Sequence, residues 1–228
     1  MSKEPKAGKP NTDKTATVDG LTPKQYLRAL DTAKLEFEVR DLERADELGE
    51  LSHRTTVTHE SFTGTFRLYG EVDSISVERL RQATARYAAA YPEAPITLII
   101  SSPGGSAFDG MVLFDHLRAL SGDGHKITTV VRGMAGSMAG ILAQAGDDRV
   151  IGPESYLVIH EASSDAWGTA SEMGDHVELL NRLCRQFEGI YARRSKISAK
   201  EIKLRTKKTD WYVNSAEAKK LGFADRIG

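Results

Sequence analysis

The chain has 228 residues, 40% hydrophobic and 28% charged, which is enough apolar material for one real core with an appendage. Its formal net charge of −1 excludes the strongly basic balance that draws a protein to nucleic acid or to an anionic membrane. A single cysteine, Cys184, excludes an internal disulfide, and no run approaches the roughly 18 apolar residues that a membrane helix needs.

Residues 1–13 are polar and basic with no hydrophobic centre, unlike a secretory signal, so the expected setting is cytoplasmic. Residues 1–20, rich in Lys, Pro, Gly, Thr and Asp, read as a disordered tail. Helix-start chemistry follows at Thr22-Pro23-Lys24-Gln25: a capping hydroxyl, a proline at the first helical position and a glutamine that reaches back. The helix is predicted to run to about Leu51 through Leu27, Leu30, Phe37, Leu42 and Leu48. Residues 21–60 therefore read as an N-terminal helical extension, a contact surface or a solvated spacer, and residues 61–228 as the main domain.

From there strands and helices alternate. Strands are predicted at 66–69, 96–100, 127–131, 149–151 and 156–159, and helices at 76–91, 110–120, 137–146 and 170–195. That order predicts an α/β domain with a mainly parallel sheet. The last helix carries Met173, Val177, Leu180, Leu183, Cys184, Phe187 and Tyr191 at helical spacing. It is too long to lie wholly within so small a domain, so part of it should project and be covered by a second copy.

Four short segments could carry chemistry. Ser101-Ser102-Pro103-Gly104-Gly105-Ser106 follows a strand, and paired glycines can turn backbone N–H groups into a concave space. By itself it also describes an ordinary strand-to-helix turn, and no Gly-Lys-Ser/Thr follows to make it a phosphate loop. Gly133-Met134-Ala135-Gly136-Ser137-Met138-Ala139-Gly140 sets a serine at a helix start, where its Oγ is exposed and first-turn N–H groups face a developing oxyanion. The same residues would suit a tight packing corner with a capping serine. Tyr156-Leu157-Val158-Ile159-His160 delivers an imidazole to a strand end, either as a core histidine or as a general base. Asp210, in Lys208-Thr209-Asp210-Trp211, is a turn aspartate or the acceptor for the second imidazole N–H, with Asp165 and Asp175 as rivals. Cys184 reads as packing, and no cofactor or metal is called for.

Taken in this order, the four segments resemble the proteolytic subunit of the Clp protease. The Ser-Pro-Gly-Gly loop, the Gly-Ser-Met-Ala-Gly serine segment, the Val-Ile-His strand end and the closing Glu217-Ala218, Gly222 and Asp225 all match, over about residues 66–227. The resemblance implies the Clp/crotonase-like spiral of repeated ββα units, with the helix near 170–195 as a handle between stacked rings. It implies a Ser137–His160–Asp210 triad and an oxyanion hole from the N–H groups of Gly105 and Met138. It further implies a homo-oligomeric ring enclosing unfolded polypeptide substrates, fed by an ATP-driven (AAA+) unfoldase. Residues 1–60, Glu161-Ala162 in place of Gln-Pro, and Lys208-Thr209 in place of Glu-Arg depart from the family. They fit a divergent branch such as the capsid-processing Clp-like proteases of phage. A crotonase-like acyl-CoA enzyme shares the architecture without needing a Ser–His pair, and an inactive structural ring subunit is the reading from another class. A Ser–Lys dyad, as in signal peptide peptidases, finds no lysine between Ser137 and Lys196.

Overall fold

The computed structural model describes residues 57–60 and 63–228; the predicted tail and N-terminal helix lie outside the described residues. Eight strands and six helices follow one another as β1 (Val57–Glu60), β2 (Thr65–Val72), α1 (Ser74–Ala90), β3 (Ile96–Gly105), α2 (Ala107–Gly122), β4 (Ile127–Gly136), α3 (Ser137–Ala143), β5 (Asp148–Ile151), β6 (Tyr156–Ile159), α4 (Ala170–Ala192), α5 (Ala199–Thr206), β7 (Trp211–Asn214), α6 (Ser215–Leu221) and β8 (Arg226–Ile227). The sheet runs β1-β2-β3-β4-β5-β8, with β6 pairing β4 and β7. Only the β1–β2 and β6–β7 ladders are antiparallel, so the parallel α/β expectation holds. The sheet takes in Val57–Glu60, ahead of residue 61, where the sequence pattern shows no strand.

The core is built where the apolar alternation requires it. Along β3, Ile96, Leu98 and Ile100 are buried on one face, and Phe66 and Leu68 of β2 lie beside them. Leu113 and Leu117 of α2 and Ile141 and Leu142 of α3 close over that layer. Each such side chain contributes about 1.5–3 kcal/mol on leaving water. Helix α1 starts one residue after Asp73, whose carboxylate accepts the Ser76 N–H at 2.7 Å while Ser76 Oγ accepts the Asp73 N–H at 3.0 Å. This reciprocal cap moves the helix start ahead of the predicted residue 76.

Three strands, β2, β3 and β4, outrun their predicted ends. The glycine-rich segments expected to be turns stay in the ladder: Gly104 and Gly105 pair with Glu71 and Val72, and Ala135 pairs with Ser102. Register shifts between Tyr69 and Glu71, and between Ile100 and Ser102, absorb the irregular backbone as bulges. Strand β4 is also a fork. Residues 128–131 pair with β5, and residues 134–136 with β6. That divergence splits the sheet and opens a space beyond the end of β4.

Candidate active site

Ser137 opens α3 directly after β4, with φ +49°, a left-handed conformation uncommon for any residue with a side chain. Its surroundings are glycine because nothing larger fits. A Cβ on Gly104 (φ +107°) would lie 2.6 Å from Ser137 Cβ and 3.0 Å from the Met138 nitrogen, and one on Gly136 would lie 2.7 Å from the Pro103 carbonyl oxygen. The Ser-Pro-Gly-Gly backbone is therefore pressed against the start of α3. Met138 N–H lies in the first turn, where helix geometry supplies no acceptor.

His160 follows β6 and Asp210 precedes β7, two strands whose ladder chain order conceals. Strands β6 and β7 are antiparallel, with Val158 opposite Tyr212 and Ile159 opposite Trp211. His160 and Asp210 are the next residues beyond the last pair of that ladder. Across the other edge of β6, Gly136 pairs with Val158, so Ser137 follows at the end of the adjoining strand. Three residues scattered over the sequence thus adjoin the ends of three neighbouring strands, β4, β6 and β7.

No hydrogen bond joins the three side chains among the described residues. His160 Nδ1–H donates to the Glu161 carbonyl at 2.6 Å, and among the described residues neither Ser137 Oγ nor the exposed Asp210 carboxylate is bonded to the ring. Ser137 and His160 share the wall of one cavity of about 540 Å³, with Gly105 and Met138 beside them; Asp210, Asp165 and Asp175 do not line it. Helix α4 roofs the cavity with Leu180, Leu183, Cys184 and Phe187. The apolar stripe that the sequence reading gave to a second copy is therefore divided. Its C-terminal part faces this cavity, while Met173 and Val177 remain exposed.

Several contacts here carry no signal in the sequence. Glu161 Oε2 accepts the backbone N–H of Lys208 (φ +57°) at 3.2 Å, tying the residue after His160 to the segment before Asp210. Ala162 N–H donates to Cys184 Sγ at 3.3 Å, which gives the cysteine a packing role and holds the loop after His160 against α4. Ser164 Oγ and His176 Nε2 are hydrogen-bonded at 2.7 Å on the cavity rim, a second hydroxyl–imidazole pair that only folding brings together. Glu188 stands on the same wall, and burial pushes its carboxyl up despite the opposing charge of Lys203. No cluster of His, Cys, Asp and Glu that could hold a metal occurs among the described residues, and none of their helices is long and apolar enough to cross a membrane.

The family model for Clp protease matches residues 61–228 of this chain. Among curated proteins, the ATP-dependent Clp protease proteolytic subunit 3 of Rhodococcus jostii (strain RHA1) is 31% identical over 183 residues, covering 79% of this chain and 89% of that protein.

Proposed function

This chain belongs to the Clp protease family, and we propose that its serine-peptidase chemistry runs through Ser137, His160 and Asp210. Ser137 Oγ attacks the scissile carbonyl while His160 takes its proton. Asp210 accepts the other imidazole N–H and stabilises the imidazolium, and the N–H groups of Gly105 and Met138 hold the oxyanion. The proton then passes to the leaving amine, and water repeats the sequence on the acyl-enzyme. The observation that carries this reading is the left-handed Ser137 on the wall of the cavity that His160 shares, backed by glycines that admit a peptide carbonyl. For His160 to donate to Asp210, its Nδ1–H must leave the Glu161 carbonyl.

The family membership counts against an acyl-CoA enzyme. The same membership, and the name of the Rhodococcus relative, support a ring-shaped homo-oligomer that encloses unfolded polypeptides in the cytoplasm and is served by an ATP-driven unfoldase. The residues before 61 fall outside the family match.

A fluorophosphonate probe tests the assignment. It should label Ser137, located by mass spectrometry of the digested protein, and Ser137→Ala should lose about 10⁴-fold or more in peptide hydrolysis. Ser164 already holds an imidazole bond, so it is the internal control. Labelling of Ser164 in place of Ser137 would overturn the triad, and no labelling of the assembled protein would identify an inactive ring subunit.

A further inference from the structure

Beneath the Ser137 helix, two residues each depart from what stability alone would select. Gly140, one turn after Ser137, sits inside α3, where alanine is the more favourable residue. Tyr191, on α4, is 2% exposed, its hydroxyl has no hydrogen-bond partner among the described residues, and burial pushes its pKa up. A buried hydroxyl without a partner is a cost that phenylalanine would avoid. The two departures meet in one contact. A Cβ on Gly140 would lie 2.3 Å from Tyr191 Oη, so the glycine is what admits the phenol against the helix.

The phenol ring is itself packed among other rings. Its ring packs edge-on against Phe223 (centroids 5.2 Å apart, 68°), and Phe223 packs edge-on against Trp211 (5.6 Å, 73°). The Arg205 guanidinium lies 4.8 Å from the Trp211 ring centroid, and Arg205 is held in turn by Glu201 at 2.8 Å. Trp211 follows Asp210 in the chain and stands opposite Ile159, the residue before His160. Three rings thus span from the helix that begins with Ser137 to the strand pair that ends with His160 and Asp210.

We propose that Tyr191 is a positioning residue whose hydroxyl, backed by Phe223 and Trp211, acts as a spacer that sets the Ser137 helix at its working distance from His160 and Asp210. The inference rests on the peptidase reading above. Dispensing with the hydroxyl relieves its burial and at the same time lets α3 settle toward α4, so stability and catalysis move in opposite directions.

This opposition makes a test in three variants. Tyr191→Phe should raise the melting temperature by about 2–4 °C while kcat falls about fivefold or more with KM little changed. Gly140→Ala collides with the hydroxyl and should lower both stability and kcat. In the double variant, the new methyl occupies the space that the hydroxyl has left. Its next Tyr191 contact is Cζ at 3.6 Å, an ordinary distance, although the Ala135 carbonyl at 3.2 Å must give slightly. The double variant should therefore recover kcat to within about twofold of wild type, the non-additivity expected of two side chains sharing one contact. A Tyr191→Phe protein with wild-type kcat, or a double variant no better than Tyr191→Phe, would overturn the spacer. Fluorophosphonate acylation of wild-type Ser137 separates the two levels: without it the peptidase reading falls, and with it the variants judge the spacer alone.

Discussion

Asp210 illustrates how one residue's role depends on its neighbours across a ladder. In the sequence it is one of three aspartates that could orient His160, and nothing in its local motif separates it from Asp165 or Asp175. The β6–β7 register favours the proposed Asp210, which directly precedes the strand paired with the one that ends before His160. Its exposed carboxylate must compete with water and with the Glu161 carbonyl that now holds Nδ1. An asparagine there would offer an amide in place of a carboxylate and stabilise no imidazolium, so Asp210→Asn should reduce kcat by about 10³–10⁴-fold. Asp165→Asn and Asp175→Asn should stay within about twofold. Steady-state kinetics on one peptide decide it, and the reverse order would hand the role to whichever of Asp165 and Asp175 proves sensitive.

Among elements, the segment after α6 is held by an ion pair rather than by a long ladder, since β8 contributes only Arg226 and Ile227. The nearly buried Arg149 donates to Asp225 from Nη2 at 2.7 Å and from Nε at 3.1 Å, and its Nη1 reaches Gln144 at 2.8 Å. Burial alone would raise the Asp225 carboxyl, but the Arg149 hydrogen bonds and charge hold it below its ordinary 3.8. Asp147, bonded to Arg118, Ser121 and the Ile127 N–H, is depressed in the same way against its own burial. A depressed carboxyl contributes stability above its unfolded pKa and loses it as pH falls through the folded one. Thermal stability should therefore hold above about pH 5 and decline below about pH 4. Asp225→Asn should destabilise by about 1–3 kcal/mol at pH 7, the lower part of the range for a charge pair because Asp225 stays in contact with water. It should also flatten the acid limb, and an unchanged pH profile would remove Asp225 from that linkage. None of this network is legible in the sequence, where Arg149 and Asp225 are 76 residues apart. What was legible had a short-range cause. The 2-residue and 3.6-residue periodicities marked β6 at 156–159 to the residue and α4 to within three residues of its end. The bulged ends of β3 and β4 were not, because Gly and Pro read as turns until bulges keep them in the sheet.

At the scale of the whole molecule, the single chain exposes apolar side chains that water does not favour. Phe108 and Val112 lie one turn apart on α2, at 63% and 52% exposure, and Val177 on α4 stands at 54%. None of the residues 170–182 of α4 is buried, so more than half of a helix about 35 Å long lacks a buried side chain on this chain. Apolar surface of this kind is covered by copies of the same chain in closed symmetric assemblies. Light scattering after size exclusion should therefore give a mass of several times 25.0 kDa. Placing like charges where the copies meet, as in Met173→Glu with Val177→Glu, should lower that mass while leaving the melting temperature of the dissociated chain nearly intact, since neither side chain contributes to the core. If the assembly holds the His160–Glu161 loop through α4, peptide hydrolysis should fall together with the mass. A variant of unchanged mass would move the interface away from this half of α4, and a monomer that still cleaves peptides at the wild-type rate would detach catalysis from assembly.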